Sequence, residues 1–221
     1  HLVSVSYSGM KIVLRAPPQT GKTTLLSNVV KYASFLNAGG IISKENTSDG
    51  VRVGFSAHSF ANGITHEEEF MSKNTKIWKH INKNDLPHVG SYIINLDIIN
   101  NFIVNELKSS YENSTVNLLC IDEIGRAQAF SSSFMELARE IFVQASLKKD
   151  KKHILATIVN EDIDWSMEFK YEHDVWLIDI TIDNRHPLVE IIGNMYKYSD
   201  QFDMLSLSQQ EYTRKLFKKI L

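Results

Sequence analysis

Two kinds of hydrophobic pattern alternate along this chain. Continuous apolar runs, which predict buried strands, occupy residues 11–14, 116–121, 153–159 and 175–180. Apolar positions at helical spacing predict helices over residues 22–36, 95–111, 134–145 and 206–220. Strands that alternate with helices in this way predict an α/β fold of three layers, in which a mostly parallel sheet carries helices on both faces.

A pattern typical of antiparallel strands interrupts this alternation after residue 40. Three segments have strand character, at residues 41–45, 51–60 and 64–70. The dipeptides Asp49-Gly50 and Asn62-Gly63 separate them, and both suit hairpin turns because their residues tolerate positive φ. We expect this inserted β-hairpin region to extend one edge of the sheet. Residues 71–89 are polar and irregular and give no prediction.

Composition and charge exclude several kinds of partner. The chain is 43% hydrophobic and 23% charged, and 24 basic against 26 acidic residues leave a formal net charge of −2. We therefore expect no nucleic-acid partner, because no excess of positive charge would attract phosphate backbones. No apolar run is long enough to span a membrane, so no membrane partner is expected. The one cysteine, Cys120, cannot form an intramolecular disulfide, which is typical of a cytoplasmic protein.

The length of 221 residues suits one domain, which we expect to cover residues 10–221. Residues 1–9 precede Met10, which leads at once into the first predicted strand. Our hypothesis is that residues 1–9 are a vector-derived remnant. The sequence does not define the oligomeric state, and a monomer is the expectation.

Residues 16–23 read A-P-P-Q-T-G-K-T and match the P-loop, or Walker A, pattern G-x-x-x-x-G-K-[ST] with alanine in the first position. A predicted strand enters this loop and a predicted helix leaves it, so its backbone N–H groups and the helix dipole would attract an anion. Lys22 would reach the β- and γ-phosphates of a nucleoside triphosphate, and Thr23 would ligate Mg²⁺. The predicted nucleotide-binding residues of this loop are Ala16, Pro17, Pro18, Gln19, Thr20, Gly21, Lys22, Thr23 and Thr24.

Two carboxylates follow an apolar run in the form of a Walker B element, L-L-C-I-D-E. Asp122 is predicted to hold Mg²⁺, and Glu123 to polarise a water molecule for in-line attack on the γ-phosphate. A pair that merely caps the end of a strand is the alternative. Beside the P-loop we favour the catalytic interpretation, which makes Glu123 and Lys22 the predicted catalytic residues.

Another strand is expected between the P-loop strand and the acidic strand, with a polar residue facing the γ-phosphate at its carboxyl end. The segment H-I-L-A-T-I-V-N is the candidate, and it offers Thr157 or Asn160 for this role. A threonine whose hydroxyl is satisfied inside a buried strand is an equal alternative, and both interpretations stay open.

Several segments together resemble the THEP-type nucleoside-triphosphatases, a family that includes the cancer-related nucleoside-triphosphatase. They are APPQTGKTT, GGIISKE, VRVGF, VGSYIINLD, LLCIDEIGR, ILATIV and LIDITIDNR, in family order over residues 11–190. The resemblance implies a RecA-like (ASCE-type) P-loop NTPase fold and a slow, Mg²⁺-dependent hydrolysis of nucleoside triphosphates to diphosphates with loose base preference. It also implies that Arg126, Asn184 and Arg185 belong to the nucleotide site.

The chain departs from the family pattern near the predicted site. Ala16 and Gln19 replace family glycines, so we expect a stiffer or differently shaped loop. Gln128 stands where the family has glutamate, which removes a carboxylate. Each change is expected to lower the rate of hydrolysis or to alter base preference.

Two other functions compete with hydrolysis. A nucleotide or small-molecule kinase would use the same phosphate cradle, but kinases usually add an arginine-rich lid that excludes water. Here only Arg126 and Arg139 occur between Glu123 and a lysine-rich run at residues 148–152. A nucleotide-binding module with negligible turnover is the second alternative, motivated by the altered loop.

Overall fold

A nine-stranded sheet runs through the computed structural model, which describes residues 9–61, 64–74, 76, 78, 82–144 and 152–220. Its strands are β1 (Lys11–Arg15), β2 (Ala38–Ser48), β3 (Val51–Ala61), β4 (Ile64–Ser72), β5 (His88–Val89), β6 (Tyr92–Ile94), β7 (Leu118–Ile124), β8 (His153–Ile158) and β9 (Val175–Asp179). Their order across the sheet is β5-β6-β4-β3-β2-β7-β8-β1-β9. The P-loop strand β1 and the acidic strand β7 therefore flank β8, which confirms the predicted position of that strand.

The centre of the sheet is parallel and one edge is antiparallel. Strands β2, β7, β8, β1 and β9 pair in parallel. Strands β3 and β4 continue from β2 as antiparallel hairpins, so the predicted extension of one edge is confirmed. Asp49 and Gly50 form the turn between β2 and β3, with φ angles of 50° and 75°. The second predicted turn, Asn62-Gly63, lies outside the described residues.

Eight α-helices occur among the described residues, four of them predicted from the sequence, and two of these four differ from the prediction. They are α1 (Lys22–Tyr32), α2 (Val104–Glu112), α3 (Arg126–Ala129), α4 (Ser132–Gln144), α5 (Asp164–Lys170), α6 (Arg185–Lys197), α7 (Ser199–Asp203) and α8 (Leu207–Ile220). Helix α1 was predicted to reach residue 36 but ends at Tyr32, because a turn closed by the Leu36 N–H and the Ala33 carbonyl oxygen follows it. The predicted helix over 95–111 contains a π-helical turn, Ile98–Ile103, before α2 begins.

Helices cover both faces of the sheet, as the three-layer prediction requires. Successive side chains of a strand point to opposite faces. In β1, Ile12 and Leu14 pack in the cluster that includes the apolar residues of α1 and α6. Val13 packs on the other face, in the cluster formed with α2 and α4. A continuous apolar strand thus serves two cores.

The parallel centre of the sheet determines where a site can form. The carboxyl ends of β1, β7, β8 and β9 meet at one edge, and ligands of open α/β sheets bind at this edge. The loop that follows β1 and the acidic pair near the end of β7 both lie there. Within the described residues, no helix combines the length and the apolar character that crossing a membrane requires.

Candidate functional site

The loop between β1 and α1 presents free backbone donors. Gly21 precedes the first residue of α1 with φ 95, in the left-handed region that glycine tolerates. The start of α1 has no side-chain cap, and the N–H groups of Lys22, Thr23 and Thr24 donate no hydrogen bond to any of the described residues. Unpaired N–H groups at a helix N-terminus bind anions, so the geometry suits a phosphate group.

Gln19 adopts a backbone conformation that glycine accepts more easily. Its φ of 64 lies in the left-handed region, which costs a residue with a side chain about 1–2 kcal/mol. The other substituted position, Ala16, is buried, and its carbonyl oxygen accepts a hydrogen bond from Lys22 Nζ at 2.9 Å. The loop therefore carries strain at Gln19 that a glycine would not have.

Lys22 connects the P-loop with the acidic strand. Besides its bond to Ala16, the Nζ atom lies 3.8 Å from Oε2 of Glu123. A lysine in this position brings a positive charge between the two elements, where the β- and γ-phosphates of a nucleotide would lie. The structure therefore brings together the two residues predicted to be catalytic.

Asp122 is buried, with 2% of its surface exposed, and three groups donate hydrogen bonds to its carboxylate. Thr157 Oγ1 lies 2.5 Å from Oδ1, while Thr23 Oγ1 and the Ser43 N–H lie 2.8 and 3.2 Å from Oδ2. Burial raises the pKa of Asp122, and these hydrogen bonds oppose the shift. Thr157 is fully buried and holds Asp122 in place, whereas Asn160 lies on the wall of the cleft. Of the two interpretations of Thr157, a hydroxyl satisfied inside the strand fits this geometry.

Glu123 is more accessible than its neighbour. Its side chain keeps 36% of its surface exposed, and the residue lines the cleft. Desolvation raises the pKa of the Glu123 carboxyl, Lys22 lowers it, and the charges of Asp122 and Glu161 raise it further. A carboxylate with a raised pKa is a stronger base towards a bound water molecule.

These residues line a single cleft of about 780 Å³. The predicted residues in its wall are Pro18, Gln19, Gly21, Lys22, Thr23, Thr24, Asp122, Glu123 and Arg126. The predicted residues outside its wall are Ala16, Pro17, Thr20, Thr157, Asn184 and Arg185. The cleft thus joins the P-loop to the acidic pair, while Asn184 and Arg185, which follow β9, lie outside it.

The three residues that only the family resemblance implied occupy different positions. Arg126 lines the cleft and lies 3.7 Å from Glu161 as an exposed ion pair. Arg185 Nη1 approaches the carbonyl oxygen of Thr20 at 3.5 Å, so this arginine lies against the P-loop on the side of β9. The Asn184 side chain instead accepts a hydrogen bond from the Thr181 N–H at 2.8 Å and donates one to the Asp179 carbonyl oxygen at 2.9 Å, which orders the loop before α6.

Several residues that line the cleft or support a loop beside it were not predicted from the sequence. Ser43 bonds the Asp122 main-chain oxygen through its hydroxyl at 2.7 Å, and Arg52 and Phe55 line the cleft from β3. Lys170 is buried and donates to the carbonyl oxygen of Glu161 at 2.7 Å and to Asp162 Oδ1 at 3.1 Å, which fixes the loop after β8. A lysine at the end of a short amphipathic helix gives no sign of this role in the sequence.

The oxygen atoms of Thr23 and Asp122 fit a magnesium ion. A hydroxyl and a carboxylate are hard ligands, and Mg²⁺ is usually held by one or two such groups together with substrate phosphates and water. In the part of the chain that the structure describes, no group of three or more His, Cys, Asp or Glu side chains could hold a metal ion by itself. The donor set therefore suits a metal that binds together with a nucleotide.

A parallel sheet with a phosphate loop after β1, an acidic pair in β7 and a strand between them defines a P-loop nucleotide-binding protein of the RecA-like type. Sequence comparison gives the family. A protein-family model described as NTPase matches residues 11–193, and the chain belongs to this family.

Individual relatives agree with this assignment. The chain is 28% identical over 193 residues to nucleoside-triphosphatase THEP1 of Thermotoga sp. (strain RQ2), which covers 86% of this chain and 97% of that protein. The crystal structure of THEP1 from Aquifex aeolicus has a TM-score of 0.63 at 26% identity and covers 83% of this chain and 96% of the other. The solution structure of a human cancer-related nucleoside triphosphatase shares the fold, with a TM-score of 0.65 at 21% identity over 86% and 99% of the two chains. The resemblance seen in the sequence is thereby confirmed.

Proposed function

We propose that this protein hydrolyses nucleoside triphosphates to diphosphates and phosphate in a slow, Mg²⁺-dependent reaction with loose base preference. The observation that carries the proposal is the approach of Lys22 to Glu123, 3.8 Å apart in a cleft that also contains the P-loop. The NTPase family and the relative named nucleoside-triphosphatase THEP1 support hydrolysis.

Each side chain has a distinct part in this reaction. The free N–H groups at the start of α1 and the Lys22 ammonium bind the β- and γ-phosphates. Thr23 and Asp122 would hold Mg²⁺, which when bound adds positive charge beside these phosphates. Glu123 orients a water molecule opposite the departing diphosphate and accepts its proton as the water oxygen attacks the γ-phosphorus.

Loose base preference follows from the groups beside the P-loop. Arg185 lies against Thr20 on the side away from Glu123 and offers a positive charge, which suits phosphate or sugar oxygens of any nucleotide. We also propose that the protein acts as a monomer. Cys120 is buried as a free thiol, and we place the reaction in the reducing cytoplasm.

The proposal is tested by phosphate release from ATP, GTP, CTP and UTP, each with Mg²⁺ and with the metal removed by EDTA. We expect rates that agree within roughly tenfold among the four nucleotides, because a site without base-specific hydrogen bonds discriminates weakly. EDTA should abolish release, and added Mg²⁺ should restore it. Tight binding of nucleotide without any turnover would instead indicate a binding module, and turnover only with an added alcohol would indicate a kinase.

Gln128 has an unsatisfied acceptor beside the proposed base. The residue is 3% exposed, and its Oε1 atom is buried without a hydrogen-bond partner in the described structure. Gly125 separates it from Glu123: a Cβ atom there would lie 2.5 Å from Oε1 of Glu123 and 2.9 Å from Oε1 of Gln128. The residue also lines the cleft. We propose that Oε1 of Gln128 turns into the cleft when a nucleotide is bound. There it accepts one hydrogen bond from the attacking water while Glu123 accepts the other, which directs a lone pair of the water towards the γ-phosphate.

Replacing Gln128 with leucine is expected to lower kcat about tenfold with little change in KM, because one hydrogen bond to the attacking water is lost. The same change should raise Tm, since it removes a buried polar group that has no partner. Steady-state kinetics and thermal unfolding measure the two effects. Gln144→Leu, at the exposed end of α4, is the control and should alter neither. An unchanged kcat in Gln128→Leu would contradict the proposed role.

A further inference from the structure

The cleft has two unlike halves. One contains the P-loop and the acidic pair. The other, which we call the hairpin half, is formed by residues of β2 to β5. Its apolar members are Phe55, Phe70, Met71 and Val89, and its polar members are Ser43, Lys44, Glu45 and Arg52. A triphosphate group has nothing apolar to place against such a wall, so the hairpin half is not explained by phosphate binding.

The sheet order places the hairpin half beyond the γ-phosphate. Strand β2 is the neighbour of β7 on the side opposite β8 and β1, whereas Arg185 follows β9 at the other side of β1. In an in-line displacement the nucleophile and the departing diphosphate stand on opposite sides of the phosphorus. Glu123 marks the nucleophile's side, and the hairpin half lies on that side. We therefore expect the nucleoside of a bound nucleotide to extend in the other direction, towards β9 and Arg185.

A fixed guanidinium group lies in the hairpin half. Arg52 donates from Nε to the Tyr92 hydroxyl at 3.0 Å and from Nη1 to Glu45 Oε1 at 2.8 Å, and it lies 5.3 Å above the Phe55 ring. Its Nη2 atom donates no hydrogen bond to the described residues. Glu45 already pairs with Arg52, and the side chain of Lys44 lies on the opposite face of β2 from that of Glu45. The donor left for a ligand in this half is therefore Nη2 of Arg52. An oriented guanidinium beside an aromatic wall suits a carboxylate attached to a flat ring.

We propose that the hairpin half binds a small molecule with a flat apolar ring and a carboxylate, next to a bound nucleoside triphosphate. The carboxylate meets Arg52, and the ring lies against Phe55 and Val89, the two apolar members of the hairpin half that are only partly buried. Such a ligand occupies the side from which water reaches Glu123, so it suppresses hydrolysis. This inference rests on the proposed nucleotide site for its consequence, but its binding does not require turnover.

4-Methylbenzoate has the required ring and carboxylate, and it is the probe for this site. Its binding to the full chain is measured by titration calorimetry, with Mg²⁺ and a non-hydrolysable ATP analogue present. We expect one site per chain, and about tenfold weaker binding for the uncharged isostere 4-methylbenzamide, because the pairing with Arg52 is lost. Phosphate release from ATP should fall as 4-methylbenzoate is added, and ATP should not compete with the inhibitor.

Three variants locate the probe. Arg52→Gln and Phe55→Ala should each weaken binding of 4-methylbenzoate about tenfold. Phe35→Ala removes an aromatic ring that is 51% exposed beyond the end of α1, away from the cleft, and should leave binding unchanged. Circular dichroism checks that each variant is folded, and the comparison with 4-methylbenzamide needs no variant.

The outcomes separate this inference from the proposed hydrolysis. No heat of binding, displacement of the probe by the ATP analogue, or equal affinity in Phe55→Ala and the unaltered protein would each overturn it. A protein that binds 4-methylbenzoate as described but releases no phosphate would support the hairpin site and contradict the proposed hydrolysis.

Discussion

Replacing Glu123 with glutamine is expected to lower kcat by about 10²–10⁴, the usual contribution of a general base. Glutamine has the same size as glutamate but cannot accept the proton of the attacking water. Nucleotide affinity should change little, because the phosphates are bound by the P-loop and by Lys22. Phosphate release gives kcat, and binding of a fluorescent ATP analogue gives the affinity. Desolvation within the cleft raises the pKa of Glu123. The unaltered protein should therefore lose activity on acidification at a higher pH than it would with a glutamate of ordinary pKa.

Glu161→Gln is the matched control for this experiment. Glu161 lines the same cleft and lies 3.7 Å from Arg126, so its replacement removes the same charge from the same region. Its only effect on the acidic pair is through its charge, the weakest of the causes that shift the pKa of Glu123. We expect a change in kcat below about threefold, as for other exposed ion pairs. An equal loss in both variants would mean that only the charge of the cleft matters, and would contradict a specific role for Glu123.

Replacing Lys22 with alanine is expected to lower kcat/KM by about 10²–10³ or more, because one charged donor to the phosphates is lost. The side chain now lies between Ala16 and Glu123, 2.9 Å from the carbonyl oxygen of the former and 3.8 Å from the carboxylate of the latter. Without it, the γ-phosphate would face Asp122 and Glu123 with no positive charge from the P-loop. Binding as well as turnover should therefore be lost, in contrast to Glu123→Gln.

Thermal unfolding checks the Lys22 prediction independently of turnover. A ligand that binds only the folded state raises Tm. Mg²⁺ and a non-hydrolysable ATP analogue should raise the Tm of the unaltered protein but not that of Lys22→Ala. Lys31→Ala, in the last turn of the same helix, should retain the full response because it lies at the end remote from the loop. A normal ligand-induced shift in Lys22→Ala would show that the phosphates bind elsewhere.

Local patterns were sufficient for much of the fold and for the centre of the site. The P-loop and the acidic pair can be recognised because their residues are adjacent in sequence. The buried strands can be recognised because their residues form continuous apolar runs. The dipeptide Asp49-Gly50 predicted a hairpin turn, because these two residues tolerate the positive φ that the turn requires. The contact of Ser43 with Asp122 could not be found in this way, because it requires β2 to lie beside β7, and the two residues are 79 positions apart.

The pair Gly39-Gly40 shows how a local signal can be assigned to the wrong cause. A glycine pair shortly after the predicted helix over residues 22–36 is typical of the end of a helix. In the structure both glycines belong to β2, and a Cβ atom on Gly40 would lie 2.1 Å from the carbonyl oxygen of Cys120 in β7. The glycine at position 40 is thus required by the close approach of two strands. Nothing adjacent in sequence indicates that approach.

The place of β1 in the sheet has a consequence for how the protein is made. This strand comes first along the chain but is hydrogen-bonded between β8 and β9. Met10, just before it, bonds His153, 143 residues later, and Arg15 at its end bonds Asp179, 164 residues later. Pairing over such separations is slow. A ribosome must therefore complete most of the chain before the P-loop has both neighbours, and the ability to hold nucleotide should be among the last properties that the newly made protein acquires.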